Sequence, residues 1–167
     1  GLYLGSSNVT IESFSANGNV LGNAMLSIDN SKNQDSYNLE FIIKNKSKNI
    51  FDLAGIFKIE DDDYPMNFKL ITRNFNIAPF SAIGENVLQN FEGYFNSDID
   101  VKGTFFKPVF EGKINAVNSS FDVPYLGLRY GFVDDPTFTL SNQTININDF
   151  TLNEKKSNTS GIMSGKI

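Results

Sequence analysis

The chain has 167 residues, 40% of them apolar and 20% charged, with a formal net charge of −5 and no His, Cys or Trp. Without His or Cys it holds no Ser-His-Asp triad, no Cys-His dyad, no disulfide and no ordinary zinc site. The acidic balance argues against a nucleic-acid partner, and the longest apolar run, Leu53–Phe57, falls far short of the roughly 20 residues of a membrane span. One core suits this length, and a compact chain of this size buries on the order of 70% of its unfolded surface. Two residue types are in excess, 22 Asn and 16 Phe. Asn tolerates turns and left-handed backbone, and Phe favours strands.

The dominant period along the chain is two. Val20, Ala24, Leu26 and Ile28 share one parity, and so do Leu39, Phe41 and Ile43 in the next segment. Phe51, Leu53, Phe57 and Ile59 follow, then Met66, Phe68 and Leu70. Such alternation marks strands with one buried face. Short polar stretches at 30–35, 44–49 and 60–63 read as hairpin turns.

Residues 79–92 depart from this rule. Phe80, Ile83, Val87, Leu88 and Phe91 fall on one stripe of an amphipathic helix, with Pro79 in its first turn and Gly93 at its stop. Alternation then resumes in Phe95, Ile99 and Val101, in Phe110, Ile114 and Ala116, and in Phe121, Val123 and Tyr125. Leu128, Tyr130 and Phe132 lead to a turn at Asp134-Asp135-Pro136. Phe138 and Leu140, Ile145 and Ile147, and Phe150 and Leu152 precede a last segment at 161–167. The pattern predicts an all-β chain of about ten to twelve strands with one short amphipathic helix near 79–92. Its apolar face requires cover, which a sandwich, a closed barrel or an incompletely closed groove around an apolar ligand each supplies.

The order of motifs from Phe68 to Ile167 carries a resemblance. A helix ends at Gly93, a strand ends Val101-Lys-Gly103-Thr104, and a strand starts Pro108-Val-Phe-Glu-Gly112. Next come Phe121-Asp-Val-Pro-Tyr125-Leu-Gly127 and Tyr130-Gly-Phe132, and Gly161-Ile-Met-Ser-Gly165 closes the set. This order resembles the C-terminal region of the TamB family, AsmA-like bridge proteins of the cell envelope. The Asn- and Phe-rich composition resembles members from Bacteroidetes-type Gram-negative bacteria. Residues 1–65 share the alternating style without a placeable motif.

The resemblance implies a long antiparallel meander curled into an open, taco-like tube. Residues 1–167 would form a single segment of it, a C-terminal fragment of a longer protein. It further implies a periplasmic location near the outer membrane, with an inner-membrane anchor helix outside this chain. The expected ligand is a phospholipid moving along the groove, with no other cofactor and no metal. The expected partners are an outer-membrane barrel of the Omp85 family (TamA-like) and nascent outer-membrane proteins. No enzymatic activity is expected.

The lipid-lining candidates are the apolar parity of each strand. They are Leu39, Phe41 and Ile43; Phe51, Leu53 and Phe57; Phe68 and Leu70; Ile99 and Val101; Phe110, Ile114 and Val123; Leu128, Tyr130 and Phe132; and Leu140, Ile145 and Ile147. The helix around Phe80, Ile83, Val87, Leu88 and Phe91 would plug or cover one end. The same residues would equally suit an ordinary sandwich core. A second function uses the sheet edges instead, in an assembly module that binds β-strands of outer-membrane proteins. A third is a closed β-sandwich binding module of the carbohydrate-binding or adhesin type. The acidic run at 60–63 reads as a solvated hairpin tip rather than a calcium loop. Lys102, Lys107, Lys113 and Arg129 are available to lipid headgroups or acidic loops, though scattered surface cations are the ordinary case.

Overall fold

Alternating residues become eleven strands in the computed structural model, which describes residues 5–30, 35–59, 61, 63, 65–84, 88–157 and 159–166. The strands are β1 (Ser7–Ala16), β2 (Asn19–Asp29), β3 (Ser36–Asn45), β4 (Lys48–Lys58), β5 (Met66–Asn76) and β6 (Gln89–Gly103). β7 (Pro108–Val123), β8 (Leu128–Phe132), β9 (Thr137–Ser141), β10 (Thr144–Glu154) and β11 (Ser160–Lys166) complete the set. All pairings are antiparallel and all eleven belong to one sheet, in which the strands follow one another in sequence order except at β8 and β9. The upper end of the sheet carries the turn between β1 and β2. The lower end carries the turns between β4 and β5, β6 and β7, and β9 and β10.

β8 and β9 occupy one position in the sheet. Both pair with β7 on one side and β10 on the other, and they run in the same direction. Asp134-Asp135-Pro136 is therefore a break within one strand line, not the hairpin turn that its composition suggests. The break is stitched to both neighbours. Ala116 donates its backbone N–H to Pro136 at 2.9 Å, and Val133 donates to Thr151 at 3.0 Å.

The helix expected near 79–92 does not form as such. A 3-10 helix spans Ala78–Gly84, and residues 89–92 already belong to β6, where Gln89 stands opposite Asp122 of β7. The apparent helical stripe has a physical cause. One residue is inserted in β6 between Gln89 and Glu92, where Asn90 has positive φ, and this breaks the alternation ahead of Phe91. The next shift, between Glu92 and Tyr94, inserts a residue in β7 at Asn118. A bulge at Ser13 hides β1 in the same way, because it breaks the parity between Val9 and Ile11 on one side and Phe14 on the other.

These bulges account for part of the Asn excess. Asn17, Asn74, Asn90, Asn118 and Asn142 all have positive φ, a conformation Asn tolerates better than most residues. Asn17 and Asn142 sit in turns, but Asn74, Asn90 and Asn118 lie within strands. At three bulges the diverted backbone N–H is taken by a side chain from elsewhere in the sheet. Ser13 donates to Asn23 Oδ1 at 3.1 Å, Asn74 to Asn96 Oδ1 at 2.8 Å and Asn118 to Asp135 Oδ1 at 2.8 Å. Each bulge bends its strand and raises the local twist.

Gly112 and Gly55 mark close approaches of adjacent backbones. Gly112 has φ +147, and a Cβ there would lie 2.2 Å from the Asp98 carbonyl oxygen. A Cβ at Gly55 would lie 2.6 Å from the Phe68 Cα.

The molecule exposes 10792 Å². A compact monomer of 18.6 kDa exposes about 8,200 Å², and its unfolded chain about 27,000 Å². The fold thus removes about 60% of its unfolded surface from water rather than the ~70% expected of a compact chain of this size.

Asn96→Ala orphans the Asn74 bulge donor and is expected to lower stability by about 1 kcal/mol, roughly 2–4 °C in Tm. Asn74→Val, which forces a β-branched residue to φ +49, is expected to cost about 1–2 kcal/mol, while Asn74→Gly stays close to the parent. Thermal unfolding of the three variants reads the ranking.

Candidate functional site: an uncharged apolar face

Residues directly opposite each other in adjacent strands share a face, so the register assigns every candidate. Leu39, Phe41 and Ile43 stand opposite Gly55, Leu53 and Phe51. Leu53, Gly55 and Phe57 stand opposite Leu70, Phe68 and Met66. Phe68 and Leu70 face Val101 and Ile99, which in turn face Phe110 and Gly112. Ile114 stands opposite Ser97 and Phe138, Leu140 opposite Gly112 and Ile145. Val123 pairs with Leu128, Phe121 with Tyr130, and Phe132 with Leu152. Ile147, two residues beyond Ile145, completes the set opposite Gly165. All nineteen lining candidates therefore lie on one face of one sheet.

The same register adds residues that the sequence reading left out. Val9 and Ile11 of β1 face Leu26 and Ala24 of β2, and Leu26 and Ile28 face Phe41 and Leu39. Thr72 and Ser97, both 5% exposed, also share this face. Their polarity disguised their parity. The two hydroxyls lie 2.8 Å apart, and Thr72 Oγ1 donates to the Phe95 carbonyl at 3.1 Å, so their burial leaves no orphan.

Along the described strands the register places charge on this face only at the upper end, at Lys48 of β4, opposite Asn45, and at Glu154 of β10, opposite Tyr130. In Glu154 the charge is held locally. Its carboxylate is turned into the β10–β11 connection. It accepts from the Lys156 N–H at 2.8 Å and from the Ser157 N–H and hydroxyl. The Ser157 hydroxyl first, then these two backbone donors, hold its pKa below the usual carboxylate range.

The opposite face carries the charge. Lys69 bridges Asp98 and, at 3.2 Å, Asp100, and those hydrogen bonds raise its pKa. At the upper end Arg129 contacts Asp122 at 2.7 Å and Glu92 at 2.7 Å. The Asn90 amide first, then Arg129, hold the Asp122 carboxyl low. Among the described residues no group of three acids, His or Cys is placed to hold a metal ion.

Burial on the apolar face is graded along the strands. At the upper end Leu21, Ala24, Ile43 and Phe75 form a buried cluster. A ladder of rings runs from Phe14 through Phe41, Phe51 and Phe75 to Phe80, with centroids 5.4–6.2 Å apart. A second set joins Phe121, Phe132, Phe138 and Phe150 at 4.8–5.9 Å. The 3-10 helix reaches over this end, where Asn17 donates to the Pro79 carbonyl.

Phe80 rests on Phe75, Leu88 is half-buried, and Phe91 stacks near Phe121 at 6.2 Å from within β6. Ile83 belongs to the 3-10 helix, and Val87 lies outside the described residues. The four described candidates for a helical cover are thus spread over a 3-10 turn, a connection and a strand. Toward the lower end most of the face is half-buried, although Met66, opposite Phe57, is 8% exposed. Leu39, Leu53, Phe57, Phe68, Val101 and Leu140 are half-buried, and Phe110 and Ile145 are 37% and 36% exposed.

No family model, curated protein or solved structure matches the chain.

Because Glu154 and Asp122 have depressed folded-state pKa values, the stability they contribute is present above about pH 4 and is lost as pH falls through their folded values. Glu154→Gln is expected to flatten the acid limb of a stability-versus-pH curve below about pH 4 and to leave the curve near pH 7 parallel to the parent. An unchanged acid limb would contradict the assignment.

Proposed function

We propose that this chain is a non-catalytic lipid-handling segment of the TamB type. Its sheet curls into an open trough whose apolar face shelters the acyl chains of a phospholipid on the way to the outer membrane. One observation carries the reading: among the described residues a continuous apolar face, spanning the strands of a single sheet and charged only at its upper end, stays mostly half-exposed along its lower part. The surface about 30% above that of a compact monomer agrees with it and weighs against the closed sandwich module.

Each CH₂ shielded from water stabilises a bound acyl chain by about 0.8 kcal/mol. Contacts spread over many Leu, Ile, Val and Phe side chains hold such a chain without fixing it at one point. The burial gradient gives the trough a packed upper end and an accessible lower end. A periplasmic setting, an Omp85-family (TamA-like) barrel at the outer membrane and an anchor elsewhere in a longer protein belong to this reading through the family resemblance.

A second reading rests on the sheet edges. Among the described residues β1 and β11 each pair on one side only, and Ile162 of β11 is 75% exposed. Such edges accept an added strand, which suits an assembly module that holds nascent outer-membrane proteins.

Val101→Asp and Ile114→Asp separate an open trough from a sealed core. In a trough each variant stays folded, loses no more than about 2 kcal/mol, and no longer binds a fluorescent short-chain phosphatidylcholine. Outright unfolding of both, the cost of an unpaired carboxylate in a dry core, would contradict the trough. Full phospholipid binding by both, with loss of strand capture after proline substitution in β11, would favour the edge reading.

A further inference from the structure

The β6–β7 turn presents two adjacent phenylalanines to water, Phe105 at 79% and Phe106 at 94% exposure. Apolar side chains of this size are rarely left so bare, and two in succession form a patch that requires a partner. The turn is ordered. Lys107 donates its N–H to the Thr104 carbonyl at 3.2 Å and to Thr104 Oγ1 at 3.0 Å, and the rings meet edge to face at 6.4 Å.

The surroundings select the partner. The neighbouring β9–β10 turn offers Asn142 and Gln143, and Gln143 Nε2 ties it to the Pro108 carbonyl at 3.1 Å. Thr104–Lys107 and Ser141–Thr144 contain no carboxylate, and Lys102 and Lys107 flank the rings. Nearby acids belong to the β4–β5 turn, where Asp61 is paired with Lys58 at 3.3 Å. Aromatic tips beside amides and lysines suit a lipid–water interface, where rings enter the acyl boundary and lysine stems reach back to headgroups.

The wet part of the apolar face lies directly beside this tip. Phe106, Pro108, Phe110, Leu140 and Ile145 line a recess of ≈ 440 Å³ at the foot of the turn. We propose that Phe105 and Phe106 insert into a phospholipid bilayer and dock the lower end of the trough on the membrane surface. An acyl chain then passes between bilayer and trough without crossing open water. This role presupposes the trough proposed above and adds where it meets the membrane.

The absence of Trp makes the test clean, because Phe106→Trp creates a single reporter in the whole chain. With vesicles of phosphatidylcholine, alone or with phosphatidylglycerol, its emission is expected to shift to the blue and to be quenched by brominated acyl chains. Serine at position 105 or 106 is expected to weaken vesicle partitioning about tenfold per ring. Phe105→Ser, whose ring does not line the recess, should keep binding monomeric short-chain phosphatidylcholine. Unchanged emission with vesicles, or a doubly substituted chain that partitions like the parent, would overturn the docking role and leave the trough standing. Insertion that persists in Val101→Asp while monomeric lipid binding is lost would support it.

Discussion

A single sheet that meanders in sequence order, with β8 and β9 sharing one position, brings no second layer to cover its own apolar face. Every other feature of this molecule follows from that constraint. Apolar residues collect on one side because the pleat alternates, and charge collects on the other. A short 3-10 helix reaches over one end, and the trough proposed above would cover the rest by curvature. Phenylalanine ladders fill that end, and toward the other end the same face stays partly wet.

Curvature in turn depends on irregularity. Bulges at Ser13, Asn74, Asn90, Asn118 and Asp149 interrupt strands that would otherwise run straight, and glycines such as Gly55 and Gly112 let adjacent backbones close up where a side chain would hold them apart. Each irregularity diverts backbone donors from the ladder, and Asn and Asp side chains supply the missing acceptors at three of them. The abundance of Asn thus serves the shape of the sheet as well as its turns.

Period-two alternation makes most strands legible and puts the nineteen candidates on one face, because a residue's parity is inherited across every antiparallel pair. Bulges were illegible for the same reason. One inserted residue erases the alternation, so β1 was overlooked and the start of β6 resembled a helix. Asp134-Asp135-Pro136 has the composition of a hairpin turn, and only the pairing of β8 and β9 with the same two neighbours shows that the strand line continues. Thr72 and Ser97 carried the wrong polarity for their face, and their mutual hydrogen bond is visible only once β5 and β6 are side by side. Phe105 and Phe106 lacked a periodic signal because they lie in a turn, where exposure is decided by the fold.

The central claim is that the lower apolar face is open to small molecules while the upper end is packed. The chain has no Cys, so single thiols report on each position without background. Val101→Cys and Leu53→Cys on the lower part of the face, with Leu21→Cys in the packed cluster as reference, can be timed against a neutral maleimide with and without short-chain phosphatidylcholine. An open trough predicts that the thiols at 101 and 53 react readily in the folded protein and are shielded by lipid, while the thiol at 21 reacts only on unfolding. Equal protection of all three without lipid would contradict it.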